Sequence, residues 1–434
     1  MNPIGILGVI VLIAIAWGMS ENRKRMPWKL IIGALVLQII LAFLLIKFPP
    51  AVAVFDFIAR GVNEVIKSAD AGISFVFGSL GDPGGSWGFI FAFRALSIVV
   101  FFASLVAVLY HLGIMQRLIA SLAWLLRKTL GVTGTEALAM SANVFVGQTE
   151  APLCVKPFIA KMTRSQIMTL MVGGFATIAG SVLAAYVGIL GGGDEEASIR
   201  FTKHLLTASV MSAPAAFVMA KIIVPETEEA IDEGLNQADI DSPHVNVLDA
   251  AADGASDGVK LALNIGGMLI AFVSLVALMN LPLNWLGGLL DSTPDGQGWE
   301  TLSIETILGT LFTPLAWTMG VAWEDCTAFG SLLGEKIVLT EFIAYFHLGD
   351  IANTPIVEEA GVVISGPSLS PRSIAIATFA LCGFANFASI AIQIGGLSTI
   401  APTQREAFVT LGVKAMFGGA FASWMTASIA GMFL

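Results

Sequence analysis

The 434-residue chain is 56% hydrophobic and only 12% charged, with a mean hydropathy of +0.84 and 45 glycines. That composition excludes a soluble domain of this size and leaves a polytopic membrane protein. The net charge of −10 comes largely from one acidic stretch at 226–257, so it signals no nucleic-acid partner; three cysteines in apolar segments without CxxC spacing read as small packed hydrophobes rather than a disulfide or metal framework, and four scattered histidines show no zinc cluster.

Residues 4–18 read as a short first span. No Lys or Arg precedes it, and Arg23, Lys24, Arg25 and Lys29 follow it. That is the reverse of a signal peptide, so the span is expected to stay in the membrane with its amino end outside. Residues 30–48 return across and stop at Pro49-Pro50. From 51 to 80, Asp56, Arg60, Glu64, Lys67 and Asp70 mix with apolar residues at helical spacing, which predicts a helix lying in the interface or packed on neighbours. A Gly/Pro turn at 81–85 closes it, 89–112 crosses inward, and 115–128 reads as a second interfacial helix.

The run 137–160 is apolar except for Gly147-Gln148-Thr149-Glu150-Ala151-Pro152-Leu153. A carboxylate there costs roughly 2 to 3 kcal/mol or more if it faces lipid. Each flanking arm of about ten residues reaches roughly 15 Å as a helix, half of a hydrocarbon core of about 30 Å. Arg127 and Lys128 before the pair, with Lys161 and Arg164 after it, place both ends on the cytoplasmic face. The pattern predicts a re-entrant hairpin over 134–162 whose tip, Gln148-Thr149-Glu150, is a candidate site, because non-helical backbone at that depth must be buried or line a wet cavity. The alternative is one spanning helix kinked at Pro152, with Glu150 paired for stability.

Residues 165–190 are long enough to span, but Gly173-Gly174 and Thr177-Ile178-Ala179-Gly180-Ser181 weaken the middle and predict a broken helix. Asp194-Glu195-Glu196 mark an outer loop, 205–224 returns inward, and the acidic segment 225–258 reads as a solvated cytoplasmic linker. Residues 261–283 cross outward, 291–300 form a polar outer turn, and 304–322, interrupted by Pro314, suit an external interfacial or buried segment.

The order then repeats. A second hairpin over 327–350 carries Thr340-Glu341 in its middle, and a second broken helix over 372–400 contains Gly383-Phe384-Ala385-Asn386-Phe387-Ala388-Ser389, similar to Gly174-Phe175-Ala176-Thr177-Ile178-Ala179-Gly180. An odd number of crossings between the copies makes them an inverted repeat. Residues 408–434 form the last span. The expected fold class is an all-α polytopic membrane protein of about eight transmembrane helices, with two opposed re-entrant hairpins, broken helices and an inverted repeat. Its parts are 1–88, a first repeat 89–224, the linker 225–258 and a second repeat 259–434.

Paired hairpins and broken helices describe a secondary transporter. An intramembrane enzyme would need a nucleophile with its base, or paired aspartates, within the spans, and a passive channel a continuous polar pore; neither pattern is present. The tips and breaks offer carboxylates, amides and hydroxyls but no Arg or Lys, which disfavours an anionic substrate and suits a neutral polyhydroxylated molecule with an amide-like edge.

The segment 147–153, Gly334-Glu335-Lys336 leading to Glu341-Phe342-Ile343-Ala344-Tyr345, and the segment 383–389 together resemble the signature segments of concentrative nucleoside transporters, in the same order, over the chain from about Phe89 onward. The resemblance implies a symporter that imports nucleosides across the bacterial cytoplasmic (inner) membrane on a sodium gradient, by an elevator-type or other alternating-access mechanism. It implies a homotrimer in lipid, each protomer with its own site. Gln148, Thr149 and Glu150 would contact the base, with Val182 alongside; Glu341 and Asn386 would hold ribose hydroxyls, with Phe384 and Ser389. The family's sodium site maps onto Asn143, Val146, Thr177 and Ile178. Thr177 stands where the family often has serine, and Thr340 where it usually has asparagine. Proton coupling through Glu150 or Glu341, and carriage of another neutral polar solute, are the alternatives.

Overall fold

In the computed structural model, residues 3–82, 90–230, 232, 244–290, 302–355, 357–359, 362–365 and 368–434 are described. The chain opens with α1 (Ile4–Gly18) and α2 (Trp28–Ala42), which runs into a π turn, Phe43–Lys47. Pro49-Pro50 then start α3 (Pro49–Phe77), where proline's missing N–H costs nothing. Its buried residues Ala59, Asn63, Ile66, Ala69 and Ile73 fall three or four apart, so it packs by one face as its pattern predicts. After α4 (Phe91–His111), α5 (Ile114–Leu130) repeats that one-sided burial through Met115, Ile119, Ala123, Leu126 and Leu130.

The first hairpin comprises α6 (Gly134–Phe145), a 3-10 turn at Ala151–Val155 and the single turn α7 (Lys156–Ile159). The return arm is therefore not the continuous helix expected, because Pro152 and Pro157 each remove a backbone donor. Nor does one helix run through: Val146 is extended and the chain turns back, with Ala151 N–H donating to the Gly147 carbonyl at 3.0 Å. The broken helix follows as α8 (Arg164–Ala176) and α9 (Gly180–Gly191), α8 starting with a Thr163/Gln166 capping box.

Next come α10 (Glu195–Ile223) and α11 (Val247–Leu290). The second begins well before the expected 261, so the carboxyl end of the acidic linker is helical; much of that linker, part of the 81–85 turn and the whole 291–300 turn lie outside the described residues. In the second repeat, α12 (Ile304–Thr318) leads to a hairpin of α13 (Cys326–Val338) and α14 (Glu341–Asn353). A short antiparallel ribbon, β1 (Val357–Glu359) with β2 (Val362–Ser365), is the one departure from an all-helical chain among the described residues. The second broken helix is α15 (Pro371–Leu381) and α16 (Phe387–Ile400), and α17 (Arg405–Gly431) ends the fold.

Six described stretches are long and apolar enough to cross a membrane: Trp28–Lys47, Phe91–His111, Arg164–Gly191, Glu195–Ile223, Val247–Leu289 and Pro402–Gly431. The short α1 and the interrupted α15–α16 pair complete the expected eight. Their surroundings differ sharply. The most apolar window of Arg164–Gly191 is 94% buried, whereas that of α11 is 17% buried, so the broken helix is core and α11 offers its apolar side to lipid or another protein. Gly254 and Gly258, four apart on α11, let its backbone lie on Val100 and Ala107 of α4, where a Cβ would come within 2.7 Å of either.

In the α1–α2 loop, outside the spans, Glu21 ties that loop to the start of α8 and to the third turn of α17. Arg164 donates to both carboxylate oxygens, Nε at 3.0 Å and Nη2 at 2.9 Å, and Lys414 Nζ adds a bond at 2.8 Å. The Arg164 hydrogen bonds, opposed by partial burial, hold the Glu21 carboxyl down at about 2. A depressed carboxyl stabilises the fold above its ordinary value of 4.5 and loses that contribution as the pH falls toward about 2. Glu21→Gln should therefore cost about 1 kcal/mol at neutral pH, given the partial exposure of all three groups. In thermal melts of the purified protein, its deficit relative to wild type should shrink as the pH drops below 4.5.

Candidate functional site

The two hairpins and the two helix breaks converge. Gly383, at φ 122°, is where the second break lies directly on the end of α8; a Cβ there would sit 2.6 Å from the Phe175 carbonyl oxygen. Around this crossing is a cavity of about 500 Å³, within the range of small-molecule sites. Gln148, Thr149, Glu150, Val182, Glu341, Phe384, Asn386 and Ser389, widely separated in the chain, all line it. Among the described residues, its lining includes the carboxylates Glu150, Asp257 and Glu341 and no Lys or Arg.

The wall from the second repeat is tied together by its own hydrogen bonds. Glu341 opens α14, just after Thr340 caps the helix by accepting from Ile343 N–H at 3.5 Å, so threonine here keeps the cap. Only 3% of Glu341 is exposed. Tyr186 O–H donates to one carboxylate oxygen at 2.9 Å and Asn386 Nδ2 to the other at 2.7 Å. The Asn386 carbonyl is also committed, accepting from Ser389 N–H at 2.8 Å as the cap of α16. Tyr345 stacks on Tyr186 with ring centroids 4.3 Å apart and donates to the Thr378 carbonyl at 2.8 Å.

The wall from the first repeat has unmet capacity. Gln148 is buried, its side-chain oxygen has no partner, and its Cβ rests on Gly174. Thr149 donates to Glu150 at 2.9 Å, which leaves most of that exposed carboxylate free.

Asn143, Thr177 and Ile178 do not line the cavity; they lie buried behind it, with Val146 reaching both places. Asn143 Nδ2 donates to the Ala139 carbonyl at 3.0 Å, and its Oδ1 is buried with no partner. Thr177 is extended and its hydroxyl donates to the Gly173 carbonyl at 2.9 Å, which leaves the oxygen's lone pairs available. A buried acceptor without a partner, on a side chain that lies beside a helix break, fits a hard monovalent cation, whose shell is made of oxygens without formal charge.

Sequence reasoning missed the groups that fix the site. The chain has three tyrosines, and all three are here: Tyr110 on the cavity wall, Tyr186 on Glu341, and Tyr345 behind it. Their rarity in so apolar a chain was the available signal. It also missed the role of Lys336, which reaches the second break from α13, and the stretch around the start of α11, where His244, just before the helix, and Asp257, within it, border the cavity although that stretch reads as linker.

Comparison with known proteins accounts for most of the chain. Residues 204–431 match the family model described as "Na+ dependent nucleoside transporter C-terminus", 7–80 its N-terminal counterpart, and 92–193 a gate model described as "Nucleoside recognition". An uncharacterised transporter of Haemophilus influenzae is 43% identical over 99% of this chain and 97% of its own length. The sodium/nucleoside cotransporter 1 of Homo sapiens is 38% identical over 98% of this chain and 63% of its own. Among solved structures, CNTnw in an inward-facing substrate-bound state superposes with a TM-score of 0.87 at 40% identity, covering 99% of this chain and 97% of that one.

Tyr186→Phe removes a donor to a buried charge and should destabilise by about 1.5 to 3 kcal/mol, while Tyr345→Phe, which loses only a bond to a neutral carbonyl, should cost about 0.5 to 1.5 kcal/mol. Thermal unfolding of both purified variants checks the order.

Proposed function

Since the chain belongs to the sodium-dependent, concentrative nucleoside transporter family, we propose that it imports nucleosides across the bacterial cytoplasmic membrane, each accompanied by sodium. It is a transporter, not an enzyme. The observation that carries the reading is the asymmetric cavity: a carboxylate–amide wall held by its own hydrogen bonds faces a wall with free amide and carboxylate capacity, with no Lys or Arg in its described lining to favour a phosphate.

Glu341 still has lone pairs beyond those used by Tyr186 and Asn386, which suits the donor hydroxyls of a ribose. Phe384, Ser389 and Val182 frame that space. Opposite, Gln148 can both accept and donate along the edge of a base, with Thr149 and Glu150 completing the contact.

The ion's oxygens are assigned to Asn143 Oδ1, the Thr177 hydroxyl, and the backbone at Val146 and Ile178. Asn143 and Val146 lead directly into Gln148, so ordering this end of the hairpin around sodium removes part of the cost of ordering it around a base. Proton coupling is the weaker reading. Both neighbours of Glu341 are donors, an arrangement for an ionised carboxylate rather than a protonated one. Hairpins entering from opposite faces, an elevator-type motion and a homotrimer that covers apolar surface complete the proposal.

Uptake of radiolabelled uridine into proteoliposomes, with sodium and pH gradients varied separately, tests it. Accumulation that ignores sodium and collapses with the pH gradient would defeat the coupling assignment. Glu341→Gln should reduce uptake at least tenfold, because it loses a charge-assisted bond worth about 1.5 to 3 kcal/mol and sets an amide N–H against one of two existing donors. Thr177→Ala should raise the sodium concentration for half-maximal uptake about fivefold, the equivalent of about 1 kcal/mol, whereas Thr177→Ser, which keeps the oxygen, should change it little.

A further inference from the structure

The two broken helices are completed in different ways. Asn143 is third from the end of α6, which stops at Phe145, and Lys336 is third from the end of α13, which stops at Val338. Each faces the interrupted end of the helix that follows its hairpin. Asn143 Nδ2 lies beside Gly173 of α8, whose carbonyl accepts from Thr177 at 2.9 Å. Lys336 Nζ donates to the Ala380 carbonyl at 2.9 Å and the Cys382 carbonyl at 3.4 Å, at the end of α15.

At equivalent places, then, the first repeat has an acceptor with no donor and the second has a cation already bound to the freed carbonyls. Lys336 is 0% exposed and bonds to backbone oxygens rather than to a carboxylate, a costly placement for an ammonium group. The location explains it, because the carboxyl end of a helix is its negative pole and no water is at hand for its carbonyls.

We propose that Lys336 is a tethered cation. It takes at the second break the place that exchangeable sodium takes at the first. It acts as a positioning residue: by holding the Cys382 carbonyl it fixes the short break that ends in Asn386, and Asn386 in turn orients Glu341. The second break consequently has no exchangeable ion site. The sodium part of this inference rests on the coupling proposed above; the positioning part does not.

The test reconstitutes wild type, Lys336→Met and Lys336→Asn, each checked for monodispersity, and measures uridine KM and Vmax across a sodium series. Lys336→Met keeps the apolar stem and loses the charge, so its KM should rise at least tenfold at every sodium concentration, with a smaller change in Vmax. Lys336→Asn restores the amide found at 143, so high sodium should recover its KM along a steeper activation curve than the single-site curve of wild type. A wild-type KM in folded Lys336→Met overturns the positioning role. An equal loss at all sodium concentrations in Lys336→Asn overturns the equivalence with sodium. If neither variant folds, the charge carried per uridine by wild type decides: a single charge supports the proposal, and two overturn it. Wild-type uptake indifferent to sodium would sink the coupling assignment alone, leaving Lys336→Met to judge the positioning role.

Discussion

A helix interrupted in the interior of a membrane protein leaves carbonyl groups without helical donors and without water. Two helices here are broken in that way, and much of the remaining architecture supplies what they lack. The hairpins bring polar side chains to the freed ends: Asn143 to the first, Lys336 to the second. Gly383 lets the breaks touch, which gathers both sets of irregular backbone beside a single cavity. The core helices α8, α10 and α17 pack on one another around this arrangement and hold it in place.

The same constraint governs the charges. Glu341 is tolerated because Tyr186 and Asn386 give it two hydrogen bonds, and because Asn386 is itself locked by its role as a helix cap. A second buried pair lies where α6, α8 and α10 meet: Lys221 pairs with Glu136 and bonds Ser165 at 3.0 Å, and Thr133 donates to Glu136 at 2.9 Å. Buried ions that are multiply satisfied specify geometry more than they add stability. Both sets fix how the hairpins sit on the helices behind them.

Toward the outside the rules relax. The apolar surface of α11 lies largely uncovered, as a lipid-facing or subunit-facing helix requires, and it packs on α4 through Gly254 and Gly258 and through the Ser104 hydroxyl, which donates to the Ala251 carbonyl at 2.8 Å. The start of α11 shows how a composition-based reading can mislead. Its Asp249, Asp253 and Asp257 make the stretch look like solvated linker, yet their four-residue spacing places them along one face of a helix.

The family resemblance supplied Val182, and sequence pattern alone determined the order of the elements, the two polar tips, the positions of both helix breaks and seven other residues of the cavity lining. Those features have local causes: glycines and polar groups interrupt apolar runs, and apolar length sets what can span. The return arm of the first hairpin was misread because Pro152 and Pro157 act on local hydrogen bonds that periodicity does not register. What only the tertiary structure decided was partnership. That Tyr186 meets Glu341 across 155 positions, and that Lys336 reaches the Ala380 carbonyl across 44, depends on how helices stack. In an apolar chain, a tyrosine or lysine on a helix reads as an isolated cost until packing places its acceptor beside it.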